Sequence, residues 1–262
     1  MAFPSGGRMT LSREQHNIEI HENRRHWERK PLLRKVYSQF AREIARRVDR
    51  TLAGLIVELG SGMGHIKEHL PDCITTDMFP NPWLDRVEDA YSLTFAEGEV
   101  SHLILFDVWH HLEYPGSALR EFYRVLTDHG KVIIFDPAMG LLGRFVFGNF
   151  HHEPLGLRDE IQWEAPASLV RPSLRYYAAQ GNASRVFGTN AFRERLRSWR
   201  MAEVAYFPGL AYLGTGGFRG PQLYPRAVLP LLNLADSLLS RFPSLASRML
   251  VVLEKQVKPG GK

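Results

Sequence analysis

The segment that most constrains this chain is Leu55-Ile56-Val57-Glu58-Leu59, an apolar run that breaks directly into Gly60, Gly62 and Gly64. A short run with β-branched residues closed by glycines reads as a buried strand entering a tight turn. Glycine there tolerates positive φ and lets a ligand come close to the backbone. The N–H groups that open the next helix would face the same ligand. The pattern then repeats. Apolar strands are expected at 73–76, 102–106 and 131–135, each followed at once by an acid: Asp77, Asp107 and Asp136. Between them fall helical periods. Leu33, Val36, Phe40, Ile44 and Val48 form one stripe, 63–70 is a short helix, and Ser117 caps a helix facing inward through Leu119, Phe122, Tyr123 and Leu126 until Gly130. Strands alternating with helices at this spacing argue for a parallel sheet with right-handed crossovers. Ligands of such sheets sit at the carboxyl ends of the strands, where Gly60, Asp77, Asp107 and Asp136 collect.

The glycine spacing narrows the ligand. A dinucleotide fingerprint needs its third glycine three places after the second, where this chain has His65. No Lys-Ser/Thr pair follows the loop, so it is not a phosphate-binding P-loop either. One cysteine, Cys73, among 262 residues excludes an internal disulfide and a cysteine-rich zinc module. The opening residues lack the apolar stretch of a secretory signal, and no window is long and apolar enough for a membrane span. These features lead to the expectation of a cytoplasmic protein. Residues 21–50 hold ten Lys/Arg against four acids, and the whole chain has a formal charge of +5. This basic segment reads as a solvated helix face that can also attract anions.

From Glu58 to Gly64 the chain resembles the first motif of class I S-adenosylmethionine-dependent methyltransferases of the type 11-like group. Asp89-Ala90 before Leu93-Thr94-Phe95 resembles the family's "D-A-x-x-L-P-F" stretch, with Thr94 in place of proline. Asp107-Val108-Trp109-His110-His111-Leu112 and Arg120-Glu121-Phe122-Tyr123-Arg124-Val125-Leu126 resemble the two motifs that follow, and the resemblance spans about residues 55–137. It implies a Rossmann-like α/β fold, with a mostly parallel seven-stranded sheet, helices on both faces and an inserted lid. It implies S-adenosyl-L-methionine as cofactor. It also implies cofactor contacts from Glu58, Gly60, Ser61, Gly62, Gly64, Asp77, Met78, Asp89, Ala90 and Asp107, with Asp77 on the ribose hydroxyls and Asp89 on the adenine amino group. Short matches at Trp27–Leu33 and His151–Pro154 resemble bacterial methyltransferases encoded with polysaccharide or glycolipid assembly genes.

The expected division is a tail and basic amphipathic helix over 1–52, with a mobile stretch over 1–20. A cofactor-binding core over 53–138 follows, then a lid or substrate insertion over 139–188. A C-terminal part over 189–262 completes the sheet. That last part is read as a helix capped by Thr189 or Asn190, a strand at 201–207, a glycine-rich loop at 209–220, an apolar helix at 229–242 and a final strand at 249–255. Transfer to a hydroxyl calls for a group that can take or orient a proton, and histidine suits the task. The candidates are His111, His110 and His152, with His151 and Glu153 beside them in the lid. Consecutive histidines are not expected to face the cleft together, and no metal site is expected. The basic Arg24–Lys35 segment is a candidate to meet the cofactor's carboxylate. Apolar stretches at 139–147 and 229–242 suit a small-molecule, glycan or lipid-linked acceptor and contact with a membrane surface. Nucleic acid is the less favoured partner. The competing readings are an RNA methyltransferase and a non-catalytic cofactor-binding partner protein. Asp136-Pro137-Ala138-Met139 lacks the aromatic residue of a nucleobase amine methyltransferase.

Overall fold

The computed structural model describes residues 8–9, 13–167 and 176–257. Seven strands form one sheet: β2 (Leu55–Leu59), β3 (Ile74–Asp77), β4 (Arg86–Val87), β5 (Val100–Phe106), β6 (Leu126–Pro137), β8 (Trp199–Phe207) and β9 (Arg248–Lys255). Their spatial order is β4-β3-β2-β5-β6-β9-β8. A separate two-stranded antiparallel sheet pairs β1 (Arg8–Met9) with β7 (Tyr176–Tyr177). Pairs from β4 through β6 are parallel, but β9 pairs antiparallel with both β6 and β8. The sheet is therefore mixed: β9 alone runs against the other six strands. Periodicity carries no sign of strand direction, which depends on how the connection from β8 to β9 returns.

Helices cover both faces. On one side α2 (Pro31–Ala45) starts with proline at its first turn, where no intrahelical N–H is needed. Its stripe of Leu33, Val36, Tyr37, Phe40 and Ile44 is buried against Ile104, Phe106, Ile133 and Phe135. Burial of each such side chain contributes roughly 1.5–3 kcal/mol. On the other side α3 (Pro115–Val125) and α5 (Asn182–Phe187) cover a core that includes Leu103, Leu105, Trp109, Leu119 and Phe122. The rest of the helices are α1 (Arg13–Arg29), α4 (Leu141–Phe150), α6 (Leu210–Leu213) and α7 (Leu229–Leu239).

Several local expectations change. The stretch expected to be mobile lies partly outside the described residues, and from Arg13 it is helical. That helix is mostly polar, and it docks through Ile20 and Trp27, which lie two turns apart on one face and are buried. The expected helix over 63–70 is a single 3-10 turn, His65–Glu68. Helix α3 begins at Pro115 without a side-chain cap. Ser117 instead contacts Glu164 and Ala165. The helix ends at Val125, five residues before Gly130, because Leu126 already turns into β6. The helix after Asn190 reduces to a 3-10 turn, Glu194–Leu196, while α4 and α5 form where the sequence has no clear period. Gly143 explains part of this: a Cβ there would lie 1.8 Å from the Ala138 carbonyl oxygen, so glycine lets α4 sit against the end of β6.

Candidate functional site

A cavity of about 1670 Å³ opens at the carboxyl ends of the central strands. Its floor is the loop after β2. Gly60, Gly62 and Gly64 all have left-handed backbone, with φ of 68°, 52° and 65°. A Cβ on Gly60 would meet Val108 at 2.5 Å and one on Gly64 would meet the Trp83 carbonyl at 2.8 Å, whereas one on Gly62 would meet nothing within 4 Å. Gly62 thus presents bare backbone to the cavity. Ser61 does not line it. Its hydroxyl accepts from the Thr76 N–H at 3.1 Å and donates to the Glu58 carbonyl at 3.2 Å, tying the loop to β3.

The expected acids occupy different environments. Asp77, at the end of β3, accepts from the Gly62 N–H at 3.1 Å and from the Met78 N–H at 2.7 Å. These donors fix its carboxylate at the cavity wall beside Met78. Asp89 and Ala90 also line the cavity, and Asp89 accepts from the Tyr91 N–H at 2.9 Å. Thr94, which stands where the resembling motif has proline, gives both its N–H and its hydroxyl to Glu88. Glu58 lies behind the loop and outside the lining. Burial pushes its carboxyl up to about 7, the Ser61 hydrogen bond opposes this and the Asp77 charge adds to it. Asp107 holds φ of 58°, unusual for a non-glycine residue, and pairs with the buried Arg248 guanidinium. Arg248 in turn lies over the Tyr212 ring at 4.5 Å.

The histidines form a second group. The 3-10 turn Trp109–His111 brings both His110 and His111 to the cavity, with ring centroids 4.0 Å apart, so the expectation that only one would face it fails. A tight turn rotates neighbours less far apart than an extended strand does. His110 Nδ1 lies 2.9 Å from buried Asp136 Oδ1. His111 Nδ1 lies 2.9 Å from the Tyr177 carbonyl, so it carries the proton and donates. Glu153 reaches in from the lid: its oxygens lie 3.5 Å from His110 Nε2, 3.8 Å from His111 Nε2 and 3.7 Å from His151 Nδ1. The Gln180 amide donates to the same carboxylate. Burial opposes charge on His110, but Asp136 and then Glu153 outweigh it and raise its pKa to about 10. Burial, helped by the charge on His110, lowers that of His111 to about 4. His152 lies at the exposed rim, stacked on His151 at 4.8 Å.

The basic segment does not supply the expected cation to the cavity. Lys30 Nζ donates to the carbonyls of Thr215, Gly217 and Gly220, closing the loop after α6. Helix α1 meets the cavity through Glu19, Ile20 and Asn23. Sequence reasoning missed Arg248, Tyr37 and Tyr212 on the wall. The signal for Arg248 was present, as a lone cation heading the apolar run Met249–Leu253.

The fit of a nucleoside cofactor can be judged from these features. An open cradle at Gly62 beside a fixed carboxylate at Asp77, with Asp89 further along the wall, suits a ligand with a ribose and a purine. Residues 57–134 match the model of a methyltransferase domain. No curated protein matches the chain. Among solved structures, the chain is similar to the putative methyltransferase bound to the Trm112 methyltransferase activator of Haloferax volcanii. That match has 14% identity and a TM-score of 0.54 over 96% of this chain and 100% of that one. It is also similar to a possible histamine N-methyltransferase of Thermotoga maritima, with 14% identity and a TM-score of 0.51 over 91% of this chain and 99% of that one. At such identity the likeness shows the fold. S-adenosylmethionine is the cofactor of the matched domain.

Proposed function

We propose that this S-adenosylmethionine-dependent enzyme, whose residues 57–134 match a methyltransferase domain, methylates an oxygen of a small-molecule or glycan acceptor, with a lipid-linked glycan favoured. The observation that carries this reading is the cavity itself. Pockets for one small ligand occupy about 300–1,000 Å³, so about 1670 Å³ accommodates a cofactor and an acceptor together. It joins three zones: the glycine loop, the His110–His111–Glu153 cluster, and an apolar rim where Phe145, Phe150 and Leu223 are 61%, 76% and 73% exposed. A hydroxyl-bearing group could reach the polar cluster while an apolar carrier rests on the rim.

In this reading Gly60 and Gly62 supply backbone to the cofactor, Asp77 takes its ribose, and Met78, Asp89 and Ala90 flank its base. Glu58, Ser61 and Gly64 act from behind by holding the loop. When bound, the cofactor supplies a methyl group already activated by a sulfonium, so the protein's task is chiefly to orient the acceptor and exclude water. Asp107 and Arg248 neutralise each other beside the loop. His110, His111 and Glu153 meet the acceptor hydroxyl. A histidine held as low as His111 is a weak proton acceptor at neutral pH, so His111 positions the oxygen within this cluster.

Transfer of labelled methyl to free sugars, lipid-linked saccharides and RNA tests the reading. The label should appear as an ether on a saccharide. His111→Asn should slow that transfer roughly 100-fold, with S-adenosylhomocysteine affinity held within about twofold, a difference under ~0.5 kcal/mol. Label on nitrogen or in RNA, or an unchanged rate in the variant, would refute it.

A further inference from the structure

We infer that His110, His111 and Glu153 form a binding site for one first-row divalent cation of the zinc type, open on one side to the cavity. One ligating atom from each residue falls within a group no wider than 4.8 Å. The separations of 3.5 Å and 3.8 Å between the two Nε2 atoms and the Glu153 oxygens are too long for good hydrogen bonds. The carboxylate turns one oxygen to each ring, Oε2 to His110 and Oε1 to His111, at separations near the ~3.4 Å between two ligands of a tetrahedral ion with ~2.1 Å bonds, and a small inward shift of the rings brings all three residues onto one ion.

The surroundings are arranged as those of metal ligands are. Each histidine engages its Nδ1 with an oxygen, Asp136 for His110 and the Tyr177 carbonyl for His111, which turns both Nε2 atoms toward Glu153. A carboxylate or carbonyl on the far ring nitrogen is the usual support of a ligating imidazole. Gln180 holds the Glu153 carboxylate in the same way. His151, 3.7 Å from Glu153, borders the site at the rim. Two imidazoles and one carboxylate suit zinc and its neighbours, whereas magnesium prefers an all-oxygen shell. Adjacency of His110 and His111 argued against a metal in the sequence; the fold brings the third ligand from the lid. If the acceptor reading above holds, the ion's cavity-facing position takes the acceptor oxygen. The binding site itself does not depend on that reading.

Calorimetry on the chelator-treated full chain with zinc chloride, manganese chloride and magnesium chloride tests the inference. Zinc should bind one per chain, raise the melting temperature, and outcompete magnesium. Glu153→Gln and His111→Asn should each weaken zinc binding at least about tenfold, and Asp136→Asn by about 10–100-fold. Unchanged circular dichroism and S-adenosylhomocysteine binding would show that these variants fold. Absence of saturable zinc binding overturns the inference, and so does zinc binding that survives Glu153→Gln undiminished. If zinc fails to bind while His111→Asn still abolishes methyl transfer, the metal site falls and the acceptor reading stands. Stoichiometric zinc binding lost in Glu153→Gln, without methylation of any hydroxyl, upholds the site and sinks that reading.

Discussion

Gly60 and Gly64 are glycine because a neighbour occupies the space of a Cβ, but Gly62 is glycine because that space belongs to the cavity. The difference sets an expectation for Gly62→Val. Valine at φ of 52° costs about 1–2 kcal/mol of backbone strain, and its Cβ meets no protein atom within 4 Å. The variant should fold with a modestly lower melting temperature. Its side chain should block the cofactor, weakening S-adenosylhomocysteine binding at least about 100-fold, or ~2.7 kcal/mol. Calorimetry showing near-normal binding would remove the loop from the site. The glycines and Asp77 were readable in the sequence because strand, turn and strand-end acid are local in the chain. Arg248, Tyr37 and Tyr212 were not, since they reach the same wall from three distant segments. Glu153 was visible as a neighbour of His151 and His152, yet nothing local placed it beside His110.

The elements show the same division. Helix α2 and strands β2, β5 and β6 followed from their apolar periods because each buries a continuous stripe. Helix α7 was anticipated as apolar, but its role depends on what covers it. Asp236 interrupts its apolar run for a definite reason: its carboxylate accepts from the Leu210 and Ala211 N–H groups and so caps α6. The outer residues Leu231, Leu234 and Leu238 are 65%, 57% and 52% exposed. Exposed apolar faces of this size mark contact surfaces. Replacing all three by serine should leave stability within about 1.5 kcal/mol, because each surface change costs about 0.5 kcal/mol or less. Methylation of a lipid-linked saccharide in vesicles should drop at least about tenfold, ~1.4 kcal/mol of lost binding, with a water-soluble acceptor unaffected. Equal rates on both acceptors in the variant would detach α7 from substrate delivery. No helix among the described residues is long and apolar enough to cross a membrane.

For the molecule as a whole, pH provides the test. His65 and His102 are buried, and burial lowers both to about 4 from an ordinary value near 6.5. Their folded values lie below their unfolded ones, so their stabilisation is present above pH 6.5 and is lost as pH falls toward 4. Glu58, raised to about 7, acts in the opposite sense between 4.5 and 7. His111, also held to about 4, acts in the same sense as His65 and His102, so the lowered histidines outweigh Glu58 and unfolding takes up protons between pH 4.5 and 6.5. Denaturant titrations between pH 4.5 and 6.5 should show stability rising with pH, and His102→Gln should flatten that rise; a flat wild-type profile would contradict it. The sequence by itself determined the alternation of strands and helices, the glycine loop and the acids at the strand ends, because each is written within a few consecutive residues. Only the tertiary structure decided the reversed direction of β9, the convergence of His110, His111, Asp136 and Glu153, and the joining of glycine loop and apolar rim in one cavity. Those depend on which distant segments pack together, and packing is settled by burial over the whole chain.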